Sequence, residues 1–318
     1  MAEFGYALSS EEHTPTNLVR NARRAEEAGF TFALISDHYH PWIDRQGHSP
    51  FVWSVIGGIS QATQNLHLGT GVSCPTVRIH PAIIAQAAAT SAAMMPGRFF
   101  LGVGSGENLN EHILGDHWPP AEVRLDMLEE AVEIIRRLWQ GDQVSYWGNY
   151  YVVENARIYT LPEELPPIYM AASGSNAAEL AARISDGLIS TVPEEGIIEK
   201  FDQAGGAGKP RYGQLKVCWA EEKDEAERIV YEWWPTAGLP GSLHADLPNP
   251  AHFEDAAKLL RKEDVASEVI CGPDVNQHLA GIQEMIDAGY EYIYIHQIGP
   301  NQDGFFDYYQ KNILPEFH

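Results

Sequence analysis

Two histidines, an aspartate and a tryptophan stand together in the run SDHYHPW, residues 36–42. Histidine titrates near neutral pH, so His38 could give or take a proton beside a flat ligand. The same run also reads as a polar turn closed by Pro41. A second cluster, GSGENLNEH over 104–112, offers Glu107 and Asn110 after glycines that let the backbone approach a ligand closely. It is not a dinucleotide fingerprint: counted from Gly102, the third glycine of GxGxxG is replaced by Glu107. A third cluster, AASGSN over 171–176, places small side chains and backbone N–H groups at a helix start, which suits an anion or a plain N-cap. Cys74–Pro75, in GTGVSCPT, marks a bend or a cis peptide next to a ring system.

Each cluster follows a short apolar run, and those runs alternate with amphipathic stretches along the chain. Strands are expected over 4–8, 32–36, 67–72, 99–106, 168–173, 187–191, 215–219 and 292–296, with helices between them. Parallel neighbours need crossover helices, so eight such units imply an all-parallel sheet, either closed or open and doubly wound. In a closed (β/α)8 barrel the polar residues at the C-terminal strand ends form the site. The segment 144–158 reads as an inserted hairpin after strand 4, and 235–264 as an insertion after strand 7. No linker, internal repeat or low-complexity tract divides the chain, so 1–318 reads as one domain.

The 318 residues carry 44 acidic against 21 basic side chains, a formal net charge of −23. Such a field repels nucleic acid and anionic lipid. Three cysteines stand far apart without a CxxC pair, as in a reducing cytoplasm. The first residues have neither the basic nor the apolar segment of a signal peptide, and no apolar run reaches the length of a membrane span. The expectation is a soluble, cytoplasmic protein.

The stretches SDHYHPW, GTGVSCPT, HPAIIAQAAAT (80–90), PGRFFLGVGSGENLNEH and AASGSNAAELAARISDGLIST resemble the F420-dependent branch of the luciferase-like monooxygenase superfamily, in particular its glucose-6-phosphate dehydrogenase-like group. The resemblance implies a luciferase-like TIM barrel, the deazaflavin coenzyme F420 with FMN as the alternative, and hydride exchange with an alcohol, sugar or carbonyl compound. It implies that His38 and Glu107 form the proton-transfer pair and that Trp42 lies along the substrate or cofactor. Asp37 and Asn110 would contact the coenzyme. Ser173, Gly174, Asn176 and Ala177 would hold its phosphate and side chain. Cys74 replaces a threonine that touches the cofactor in the family. Thr191 matches a substrate contact, but Glu194 and Glu268 stand where the sugar-phosphate enzymes carry basic residues, which argues against glucose 6-phosphate. Family members are commonly homodimers. The competing readings are an FMN-dependent monooxygenase, a metal-dependent hydrolase using His38 and His40, and a non-catalytic flavin-binding relative. No metal is expected.

Overall fold

The computed structural model describes residues 2–191 and 195–317. Its strands in chain order are β1 (Glu3–Leu8), β2 (Phe32–Ile35), β3 (His67–Thr70), β4 (Phe99–Val103), β5 (Val144–Trp147), β6 (Val152–Ala156), β7 (Ile168–Ala171), β8 (Gly187–Ser190), β9 (Arg211–Cys218), β10 (Ile270–Cys271) and β11 (Tyr292–Gln297). Eight of these close a parallel barrel in the order β1-β2-β3-β4-β7-β8-β9-β11, with β11 returning to β1. They are the eight strands expected from the apolar runs. β5 and β6 form the separate antiparallel hairpin, and β10 adds two residues beside the end of β9.

The helices are α1 (Pro15–Ala28), α2 (Val52–Ala62), α3 (Pro81–Met94), α4 (Asn108–Glu111), α5 (Ala121–Leu138), α6 (Ser175–Ile184), α7 (Glu195–Phe201), α8 (Lys223–Trp233), α9 (Gly241–Asp246), α10 (Pro250–Ala257), α11 (Lys262–Ala266), α12 (Val275–Asp287) and α13 (Gln302–Asn312). Their ends carry the expected punctuation. Thr14 Oγ1 accepts the Asn17 N–H ahead of Pro15, and Gly29 ends α1 at φ 102°, where a side chain would be strained.

Side chains alternate along each strand, so one set faces the helices and the other fills the barrel. The inner set makes an aromatic floor: Phe32, Phe100, Tyr169, Tyr212, Tyr292 and Tyr294 pack together, with Tyr212 stacked on Tyr292 at 4.4 Å. Glycines make room for it. A Cβ on Gly5 or Gly69 would overlap the ring of Phe32 or Phe100. With the floor filled, only the C-terminal mouth can receive a ligand.

Three local features go beyond the sequence reading. The run 104–112, read as a loop, contains the short helix α4, begun at Glu107 with no side-chain cap. The insertion over 235–264 is largely helical, carrying α9, α10 and the start of α11. The cis peptide is at Gly71–Val72, ahead of Cys74–Pro75.

Candidate active site

The loop after β1 carries Ser9, Ser10, Glu11, Glu12 and His13, all buried at the mouth. Two adjacent carboxylates there reach to opposite neighbours. Glu11 Oε1 lies 3.2 Å from His38 Nδ1 after β2. Glu12 Oε2 lies 2.9 Å from His296 Nε2 at the end of β11, and its other oxygen accepts the Gly299 N–H at 2.8 Å. Burial alone would raise the Glu11 carboxyl. The His38 charge, backbone donation and the hydroxyls of Ser36 and Ser9 outweigh it and bring Glu11 below the ordinary carboxylate value. Glu11 is therefore ionised at neutral pH. His38 Nδ1 also faces the His40 carbonyl at 3.3 Å, so both groups beside it are acceptors, and with Nδ1 carrying the proton Nε2 is the nitrogen left to accept one.

Trp42 packs edge-on against the His38 ring at 5.1 Å, and against His244 and Phe253 at the same distance. His40 turns away from His38, its Nδ1 on the Leu109 carbonyl at 2.9 Å, so the HxH pair does not converge.

Asp37 is buried and already engaged: its carboxylate accepts from the Ser73 hydroxyl and from Arg78 at 2.9 Å. Arg78 also approaches Glu111 at 3.5 Å, and Glu111 Oε2 accepts the Arg78 backbone N–H at 2.8 Å. Burial dominates at Glu111 and pushes it up to about 7, Arg78 lowering it and Glu107 and Asp37 adding to the rise. The buried Cys74 thiol is raised well above its usual value by burial first and by Glu111, Glu107 and Asp37 after it, so it stays protonated. Asn110 is fully buried. Its Oδ1 accepts the backbone N–H groups of Tyr39 and His40, while its Nδ2 has no partner among the described residues. Glu107 is half-buried among Cys74, Glu111 and Arg124, and among the described residues no bond joins it to His38. The histidine's carboxylate partner is Glu11.

On the far wall, Ser173, Gly174, Ser175 and Asn176 are exposed and Ala177 half-buried at the start of α6, which has no side-chain cap. Thr191 is exposed, and Glu194 lies outside the described residues. Glu268 is exposed on the rim near Lys216 of β9, a half-buried lysine on the inward face. Trp234, buried, packs edge-on against His296 at 4.5 Å.

The residues the sequence reading missed are Glu11, Glu12, Arg78, Glu111, Lys216 and His244. A trace of Glu11 and Glu12 was visible: two acids directly after an apolar strand sit at a barrel's C-terminal face. Lys216 likewise interrupts the apolar run LKVCW.

Residues 1–292 match the family model described as luciferase-like monooxygenase. The chain belongs to that family. Among curated relatives, the F420-dependent glucose-6-phosphate dehydrogenase of Microbacterium testaceum is 38% identical over 98% of this chain and 96% of its own length. The F420-dependent hydroxymycolic acid dehydrogenase of Mycobacterium tuberculosis is 36% identical over 98% and 87%. Among solved structures, an F420-dependent secondary alcohol dehydrogenase in complex with an F420–acetone adduct superposes with a TM-score of 0.91 at 28% identity, covering 98% of both chains.

Proposed function

We propose that this chain is a single-domain F420-dependent dehydrogenase or reductase that exchanges a hydride with an alcohol or carbonyl compound, working as a cytoplasmic homodimer. The observation that carries the reading is the ionised Glu11 holding His38 at the barrel mouth beside Trp42. F420, when bound, supplies a ring carbon that takes or gives the hydride. The residues fit such a group. The unpartnered Nδ2 of buried Asn110 is a donor awaiting an acceptor, and the uncapped N–H groups over 173–177 suit the coenzyme's anionic arm. Cys74 would stand beside the ring as a neutral thiol, and Asp37, tied to Arg78 and Ser73, would fix the wall it lies against.

In oxidation, Nε2 of His38 takes the substrate's hydroxyl proton while Glu11 holds the ring's orientation and balances its charge. In reduction the same nitrogen returns it. Trp42 keeps the imidazole in place and walls the substrate side. Glu107, on the other wall, is a second titratable group facing the same mouth. Relatives named for glucose 6-phosphate notwithstanding, the substrate is not a phosphate dianion. Exposed Glu268, at the position where the resemblance expects a basic residue, would repel such a substrate.

A fluorescence titration of the purified protein with F420 and with FMN tests the reading. F420 should bind at least about tenfold more tightly, a difference of about 1.4 kcal/mol. Equal or tighter FMN binding, or no F420 reduction with any of a panel of alcohols and sugars, overturns it.

A further inference from the structure

Among the described residues, the mouth holds a lysine that the proton-transfer scheme does not use. Lys216 lies at the end of β9, paired in register with His296 of β11. Tyr212 on β9 and Tyr292 and Tyr294 on β11 face the barrel interior, so alternation turns Lys216 and His296 inward above them. His296 is fixed there by Glu12 and Trp234. Among the described residues, no hydrogen bond or ion pair within 4.0 Å reaches the Lys216 ammonium; Glu268 acts on it only through its field. Burial pulls the ammonium's affinity for its proton down, with Glu268 partly restoring it.

The other cations nearby have contacts of their own. Arg78 serves Asp37 and Glu111, and Arg124 donates to the Pro119 carbonyl and covers Trp118. Lys209 donates to the Ala182 and Ser185 carbonyls at the start of β9, the opposite end of that strand. The Lys216 charge reaches His244, whose ring packs on Trp42, which in turn packs on His38. The field of the ammonium thus reaches the wall that holds the proton acceptor.

A half-buried cation without a counterion is costly unless an anion arrives to pair with it. We propose that Lys216 is the anion anchor of the substrate, so that the alcohol or carbonyl compound taken here carries one carboxylate, as in a hydroxy acid and its matching oxo acid. One ammonium matches one negative charge. A phosphate dianion would leave a charge unpaired next to Glu268. This inference rests on the alcohol–carbonyl reading above and deepens it.

The test compares 2-, 3- and 4-hydroxybutanoate with their amides at fixed ionic strength, in wild type, Lys216→Met and Lys216→Arg. Turnover is read with F420 and binding by tryptophan fluorescence, the latter with and without the coenzyme. At least one acid should bind or react about tenfold or more better than its amide in wild type. The preference should vanish in K216M and survive largely in K216R. Binding that follows this pattern without any turnover supports the anchor while rejecting the hydride-transfer reading. Acids and amides that behave alike in wild type, or a preference that K216M leaves intact, overturn the anchor. Retained F420 binding by K216M shows that the variant is folded.

Discussion

A histidine ring whose Nδ1 faces two acceptors, a buried carboxylate and a backbone carbonyl, is held in one tautomer and one orientation, and that is the state of His38 between Glu11 and the His40 carbonyl. Removing the ring removes the proton acceptor; removing the charge leaves the ring but weakens its hold. His38→Ala should therefore lower kcat by roughly two to four orders of magnitude, and Glu11→Gln by about one to two, both with F420 affinity nearly unchanged. Steady-state kinetics beside a coenzyme titration read the two effects separately. Near-normal turnover in both variants would remove the pair from the reaction. His38 was legible in the sequence because a histidine directly after an apolar strand lands on the barrel rim. Its partner was not, because Glu11 comes from the neighbouring strand's loop, and only closure of β1 against β2 brings the two together. Glu107, paired with His38 by family likeness, makes no direct bond to it among the described residues and lies in the electrostatic reach of Cys74 and Arg124.

At the scale of elements, the four residues of α4 depend on neighbours to hold them, since so short a helix has little stability of its own. Glu111 ties α4 to the segment after β3 through the Arg78 backbone. The Arg78 guanidinium lies closer to Asp37, at 2.9 Å, than to Glu111, at 3.5 Å, so Asp37 takes most of its charge and burial prevails at Glu111. With a folded-state value of about 7 against an ordinary 4.5, the folded protein holds more protons than the unfolded chain between those pH values. Stability from this group therefore falls as pH rises from about 4.5 to 7 and is level above. The full shift corresponds to about 3 kcal/mol at most. Urea unfolding at pH 5 and pH 8 should show a smaller loss for Glu111→Gln than for wild type. The same loss in both would mean that Glu111 is ionised in the folded state throughout. The sequence could not announce α4: four residues show no helical period, and glycines ahead of them read as a loop. The barrel strands were legible because each apolar run is buried on both faces, a pattern that survives without knowledge of the partner strand.

For the molecule as a whole, a formal charge of −23 makes any uncharged stretch of surface conspicuous. Neither α2, VWSVIGGISQA, nor α3, PAIIAQAAATSAAM, contains a charged residue, although both lie on the outside of the barrel. Phe51, at the start of α2, is 57% exposed, and Ile83 and Met94 of α3 are 56% and 41% exposed. By contrast α1 turns Arg20, Arg23 and Arg24 outward into ion pairs. Exposed aromatics also occur on the hairpin, at Trp147 and nearby Tyr159. There, however, Arg137 covers Tyr146 and Arg157 covers Tyr159, so that surface is already screened by charge. An apolar face free of charge on so acidic a protein is what a self-complementary two-fold contact needs, because any acid placed there would meet its own copy across the axis. The face of α2 and α3 is thus the expected dimer contact. Light scattering after gel filtration should give twice the chain mass of 35.3 kDa for wild type. Ile83→Glu combined with Phe51→Ser should shift the protein toward one chain mass as concentration falls, while Trp147→Ser should not. A monomeric wild type would sink the homodimer itself. Dissociation caused by Trp147→Ser, with the double variant still dimeric, would move the contact to the hairpin and leave the uncharged face of α2 and α3 without this role.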